Sequence, residues 1–274
     1  ITCRDWSSDV CSSDLGKGML IFDVGQKEFL DILGEGDYLS AMQTSPDGEW
    51  IAIGFAGGVI ILISRIDTSL NQSISPAHTN RIEAFGFDPE SNWLVSCGLD
   101  GKIFRWNVES GELIDTLYED WCSDMAVTPD GRFLIAGFGT DNIFRVWDTQ
   151  TWELTAEFEG NQAADIAISP DGNRVVSAGG GFHEARVYDL TNGSLLYTLL
   201  GHISWVFAAD YSPNGNLIAT AGIGNSVYLW DAGSGKLLYD LYVSFDNIEA
   251  LAFSPDGSMR SEERRVGKEC RSRW

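Results

Sequence analysis

Catalysis needs reactive groups that converge, and this chain offers few. Its 274 residues include three histidines, His78, His183 and His202. A histidine works as a general base only with a proton to take and a partner that orients it. His183 follows Gly179-Gly180-Gly181 in what reads as a loop between strands, which places it at the surface. The glycine triplet does not read as a phosphate cradle, because no helix follows it and no Lys-Ser/Thr closes it. There is no Gly-x-Ser-x-Gly elbow, no Cys-x-x-Cys pair and no His-Glu-x-x-His segment. Of five cysteines, only Cys97 and Cys122 lie away from the chain ends, too few for a disulfide framework or a metal cluster. Cys97 sits in an apolar run and reads as a small core residue. The expectation is therefore no catalytic residue, no metal site and no cofactor.

The elements that position these residues follow a repeat. Leaving out Pro76, the prolines fall at 46, 89, 129, 170, 213 and 255, with gaps of 43, 40, 41, 43 and 42 residues. Five of them sit in Ser/Thr-Pro-Asp/Asn-Gly turns: Ser45–Gly48, Thr128–Gly131, Ser169–Gly172, Ser212–Gly215 and Ser254–Gly257. The sixth is the degraded Asp88-Pro89-Glu90-Ser91. This is tight-turn chemistry: proline presets φ, Asp or Asn bonds the local backbone, and glycine takes the conformation a side chain resists. A second marker keeps the same beat. An aromatic-acid pair closes a strand at Phe22-Asp23, Trp147-Asp148, Tyr188-Asp189 and Trp230-Asp231. Trp106-Asn107 and Ile63-Ser64 fill the remaining slots. Two markers at one period of about 42 residues predict a propeller of four-stranded units.

Between the markers the chain alternates as strands do. One unit shows the pattern: strands at Val206–Tyr211, Asn216–Gly222, Val227–Trp230 and Lys236–Tyr242. The segment Met19–Leu33 supplies two strands before the first full unit, and Ile248–Phe253 supplies one after the last. No helical periodicity of useful length appears, and no apolar run is long enough to cross a membrane.

These motifs resemble WD-repeat β-propellers over the whole inner segment. The Gly-His that opens a repeat of that family is present as Gly201-His202 and, altered, as Ala77-His78. The resemblance implies an all-β fold of four-stranded antiparallel blades, about six present and five complete, truncated from a seven-bladed ring. It further implies a buried His–Ser/Thr–Asp–Trp network, complete at His78, Ser96, Asp100 and Trp106. A partial version comprises His202, Thr220 and Trp230, with Gly224 where the aspartate would stand. Partners of the family dock around the central channel, where the loops enter the innermost strands. On this chain those positions are Tyr38, Arg81, Glu83, Trp121, Asp124, Asp165, Trp205, Phe207 and Glu249. The implied function is a non-catalytic scaffold for protein or peptide partners. The alternatives are a propeller accompanying a catalytic peptidase or kinase domain, and a periplasmic propeller of the translocation-associated kind. The Trp-Asp endings and Gly-His argue against the last of these.

Charge narrows the partners. Eighteen basic residues face 40 acidic ones, a net charge of −22. Such a surface repels phosphate backbones and anionic membranes, so nucleic-acid and membrane binding are not expected, and a basic partner is favoured. A soluble, cytoplasmic protein fits this balance. Both ends read differently from the rest. Residues 1–15 and 260–274 resemble conceptual translations of sequencing adapters, with parts of the head matching the reverse complement of the tail's coding sequence. Residues 16–259 are therefore taken as the propeller, and the two ends as non-native head and tail outside the fold.

Overall fold

The computed structural model describes residues 10–14, 19–23, 28–33, 38–119, 121–138, 142–159, 163–179, 183–224, 226–242, 248, 250–254 and 259–262. Among them there is no α-helix, only a single 3-10 turn at Thr68–Leu70. The chain begins with a three-stranded antiparallel sheet of β1 (Val10–Asp14), β2 (Met19–Asp23) and β3 (Glu28–Leu33). Five four-stranded sheets follow. The first blade is β4 (Leu39–Thr44), β5 (Trp50–Phe55), β6 (Ile60–Ser64) and β7 (Gln72–Ile74); the second is β8 (Ile82–Phe87), β9 (Trp93–Gly98), β10 (Lys102–Asn107) and β11 (Leu113–Glu119). The third is β12 (Asp124–Val127), β13 (Phe133–Phe138), β14 (Ile143–Asp148) and β15 (Leu154–Glu159). The fourth is β16 (Ala163–Ile168), β17 (Arg174–Gly179), β18 (Glu184–Asp189) and β19 (Leu195–Leu200). The fifth is β20 (Val206–Tyr211), β21 (Leu217–Gly222), β22 (Ser226–Asp231) and β23 (Leu237–Tyr242). A two-stranded sheet of β24 (Ala250–Phe253) and β25 (Met259–Glu262) closes the series.

Each blade is a meander, with strands in chain order, and the first strand of each blade packs on the first strand of the next from β4 to β24. This is the β-propeller arrangement. Sheets this small have apolar residues on both faces, and stacking is what removes them from water. The apolar clusters accordingly straddle neighbours. One joins Trp50, Ile60 and Leu62 of the first blade to Phe85, Leu94 and Trp106 of the second. Another joins Val95, Cys97 and Ile103 of the second to Met125, Leu134 and Trp147 of the third. The pattern continues from third to fourth, from fourth to fifth, and from fifth to β24. Each such side chain contributes about 1.5–3 kcal/mol when fully buried, so the seams between blades are a main source of stability.

The repeated turns hold by one device. The hydroxyl of Ser45, Thr128, Ser169 or Ser212 accepts the amide five residues on, at 2.9, 3.0, 2.9 and 2.9 Å. The same hydroxyl donates to the Asp or Asn two residues on, at 2.5–2.8 Å. In the degraded copy Asp88 takes over, its Oδ1 accepting the Trp93 amide at 2.9 Å, and Ser91 adopts φ 60 where the other turns place glycine. Turns of neighbouring blades also touch. A Cβ built on Gly131 (φ +69) would lie 2.7 Å from the Pro89 ring of the preceding blade.

Two strands fall where the sequence reading set the chain aside. β1 lies within residues 1–15 and pairs with β2, and β25 crosses into the tail and pairs with β24. The edge strand of an incomplete sheet presents a row of free backbone groups, and an adjoining extended segment pairs with it. The count is thus five complete blades flanked by a sheet of three strands and one of two. Among the described residues those two partial sheets are separate rather than one shared blade.

Candidate functional site

The structure brings His78, Ser96, Asp100 and Trp106 together inside the second blade. His78 Nδ1 lies 2.9 Å from Asp100 Oδ1, and Nε2 lies 2.7 Å from Ser96 Oγ, which also accepts the Trp106 indole N–H at 2.8 Å. The order of protons follows. Ser96 accepts from Trp106 and so donates to His78 Nε2, leaving the His78 proton on Nδ1, directed at the carboxylate. Asp100 also accepts the amides of Thr79 and Lys102, at 2.9 and 3.2 Å. Burial lowers the pKa of His78 against the upward pull of Asp100. Burial pushes Asp100 up, but the hydrogen bonds from His78 and the Thr79 amide outweigh it and hold the carboxyl below the usual range.

A serine bonded to a histidine bonded to an aspartate has the connectivity of a hydrolase relay. Here the serine and the imidazole are both withdrawn from the surface. Ser96 and His78 are fully buried, Phe104 packs on the imidazole at 4.7 Å, and the serine oxygen is already occupied by the indole. The network ties together the strands that carry it.

The fifth blade carries the shorter version. His202 Nε2 lies 2.7 Å from Thr220 Oγ1, which accepts the Trp230 indole at 2.8 Å. Gly224 stands at the aspartate's place, and His202 instead stacks on Tyr228 at 4.4 Å. Burial, only weakly opposed by Asp240, pushes its pKa down to about 4. His183 is exposed, in a turn ahead of β18.

The expected contact positions separate into two groups. Tyr38, Arg81, Trp121 and Trp205 each stand just ahead of an innermost strand, at the same end of their blades. They are exposed: Tyr38 by 81%, Trp205 by 49% and Trp121 by 36%. A β-bulge follows at the start of four innermost strands, at Ser40, Glu83, Ala164 and Phe207. Bulges redirect side chains. Phe207 meets Trp205 edge-on at 6.1 Å, and Glu83 pairs with Arg81 at 3.2 Å. Burial raises the pKa of Glu83 against the pull of Arg81.

Asp124 and Asp165 correct the expectation. They are 2% and 6% exposed, and their carboxylates turn toward the following blade. Asp124 Oδ2 accepts the Ile166 amide at 2.6 Å, and Asp165 Oδ2 accepts the Ala209 amide at 2.8 Å. Asp210 repeats the bond to Phe253 at 2.8 Å. These aspartates fasten blade to blade and do not belong to the rim. Glu249 lies outside the described residues.

Sequence reasoning also missed two arginines. In the third and fourth blades the slot of Phe104 and Tyr228 is taken by Arg145 and Arg186. Arg145 pairs with Glu157 at 2.6 Å and lies over the Phe138 ring; Arg186 pairs with Glu184 at 2.6 Å. Their shared place two residues before Trp147 and Tyr188 was the available signal.

Among the described residues no helix is long and apolar enough to cross a membrane, and no group of three or more His, Cys, Asp or Glu could hold a metal ion. The WD40 family model (WD domain, G-beta repeat) matches residues 69–107, 111–148 and 193–231. U3 small nucleolar RNA-associated protein 21 of Saccharomyces cerevisiae is 38% identical over 66 residues, 24% of this chain and 7% of that protein. Small ribosomal subunit protein RACK1 of Schizosaccharomyces pombe is 32% identical over 125 residues, 41% of this chain and 38% of that one. The chain spans well under half the length of these curated relatives. A chain in the crystal structure of the mitotic checkpoint complex superposes with a TM-score of 0.79 at 18% identity, covering 95% of this chain and 85% of that one.

Proposed function

We propose that this chain, which belongs to the WD-repeat proteins, is a non-catalytic scaffold that docks a protein or peptide on the rim formed by Tyr38, Arg81, Trp121, Trp205 and Phe207. The observation that carries the reading is the exposure of large aromatic side chains at equivalent positions of several blades, each just ahead of an innermost strand. Aromatic and arginine side chains are the groups that anchor interfaces, and the aromatics cover much area while losing little side-chain freedom. The rigid stack beneath holds them in place at no further ordering cost.

The partner is basic and is neither a nucleic acid nor a membrane. The support is the charge of the whole chain, −22, rather than the rim itself, where Glu83 is paired with Arg81. Long-range attraction of this kind steers encounter and falls with salt. The same balance suits a soluble, cytoplasmic protein. The test is fluorescence anisotropy with two labelled peptides of equal length, one rich in Arg and Lys and one rich in Asp and Glu, each carrying two aromatics. The basic peptide binds, and Tyr38→Ala with Trp205→Ala removes the binding while the melting midpoint stays. Undiminished binding by the doubly substituted chain, or preference for the acidic peptide, overturns the reading.

A further inference from the structure

We propose that Cys97 and Cys122 form a covalent cross-link site, at which a small peroxide joins the two sulfurs and fastens the second blade to the third. Cys97 lies in the middle of the second blade, on β9, opposite Ala84 on one side and Ile103 on the other. Cys122 stands two residues ahead of β12, the first strand of the third blade. They are 25 residues apart in sequence, yet their Sγ atoms are 2.7 Å apart. A disulfide is about 2.05 Å long, and the two sulfurs already stand close to that separation. Both residues are fully buried, among Val95, Ile103, Met125 and Phe138. The two sulfurs are in direct contact. The remaining sulfur contacts are with backbone oxygens, Cys122 Sγ with Asp124 O at 3.3 Å and Cys97 Sγ with Cys122 O at 3.6 Å. Neither competes for the second sulfur.

The chemistry balances with hydrogen peroxide as oxidant. One sulfur attacks a peroxide oxygen, the O–O bond breaks, and a sulfenic acid and one water result. The second sulfur then attacks the sulfenic sulfur, and the hydroxyl leaves as a second water. Two thiols are oxidised to one disulfide, and one peroxide is reduced to two waters. Peroxide is small and uncharged, which makes it the class of oxidant suited to an apolar seam where both thiols are buried. Burial, and then the adjacent Cys122 thiol, raise the pKa of Cys97 well above its ordinary value. The reaction therefore draws on a small thiolate fraction and runs slowly. Once formed, the bond closes a loop of about 25 residues and restricts the unfolded chain.

The experiment uses the full chain with Cys3→Ser, Cys11→Ser and Cys270→Ser, so that only this pair of thiols remains. Native protein is incubated with hydrogen peroxide, blocked with N-ethylmaleimide, digested without reductant and read by mass spectrometry. One intramolecular peptide linking Cys97 to Cys122 appears, and the melting midpoint rises by about 5–10 °C and returns with dithiothreitol. The further variants Cys97→Ser and Cys122→Ser show no such rise. Digestion of the unsubstituted chain gives the same linked peptide if the triple variant folds poorly. Free thiols after treatment, sulfinic acid without a link, or a link only between two molecules overturns the proposal.

Discussion

Protonation of His202 is expected to destabilise the fifth blade in a defined pH window. The imidazole is half-buried, stacked on Tyr228, and hydrogen-bonded as a neutral ring to Thr220. Its pKa falls from the ordinary 6.5 to about 4. Between these values the unfolded chain carries a proton that the native chain refuses, so stability falls as the pH drops from 6.5 toward 4. At pH 5 a group shifted from about 6.5 to about 4 costs about 2 kcal/mol relative to pH 7. His78 adds a loss of the same sign, because burial lowers its pKa as well. The assay is urea unfolding at pH 7 and pH 5, on the parent chain and on His202→Gln, whose amide keeps a hydrogen bond to Thr220 and does not titrate. The parent loses more stability between the two pH values than the variant, by about 2 kcal/mol. Equal losses in both, or an imidazole that titrates near 6.5 in the folded chain by NMR, refute the reasoning.

Other outcomes follow from the same geometry. Asp100→Ala leaves the Thr79 and Lys102 amides and the His78 ring without their acceptor and lowers stability by about 1–3 kcal/mol, read from the thermal midpoint. Asp165→Ala removes the acceptor for the Ala209 amide at a seam between blades and costs about 1–3 kcal/mol, whereas Asp165→Asn retains an acceptor oxygen and costs less. Gly131→Ala forces a side chain onto φ +69 and toward the Pro89 ring, and lowers the thermal midpoint; an unchanged midpoint argues against contact between the turns. We propose that residues 1–15 and 260–274 are adapter-derived, and trimming them leaves the melting curve in place. A marked drop shows instead that the pairing of β1 with β2 and of β25 with β24 is structural.

Much of the fold was legible because its signals are local. The Ser-Pro-Asp-Gly turn and the aromatic-acid pair each announce themselves within four residues, and their shared period sets the number and length of strands. The grouping of His78 with Ser96, Asp100 and Trp106 was legible only through a resemblance, since no local rule brings four such distant residues to one spot. Asp124 and Asp165 show where reading stops. Each looks like an acid at a loop mouth, but its partner amide lies 42 or 44 residues ahead, in another blade. Which way the carboxylate points depends on the stagger between innermost strands, which no single unit encodes. The contact of Cys97 with Cys122 was hidden for the same reason, and so were the bulges that aim Glu83 and Phe207.

The carboxylate links all run the same way. An innermost strand holds out an acid, and the strand one blade later supplies the amide that satisfies it. A growing polypeptide therefore completes each of these blades in arrears: until the next innermost strand arrives, the acid at the seam lacks the amide that it holds in the finished stack. Synthesis from the N-terminus meets that order, each newcomer sealing its predecessor. A break at one seam then touches the blade before it as well as the blade that carries the lesion.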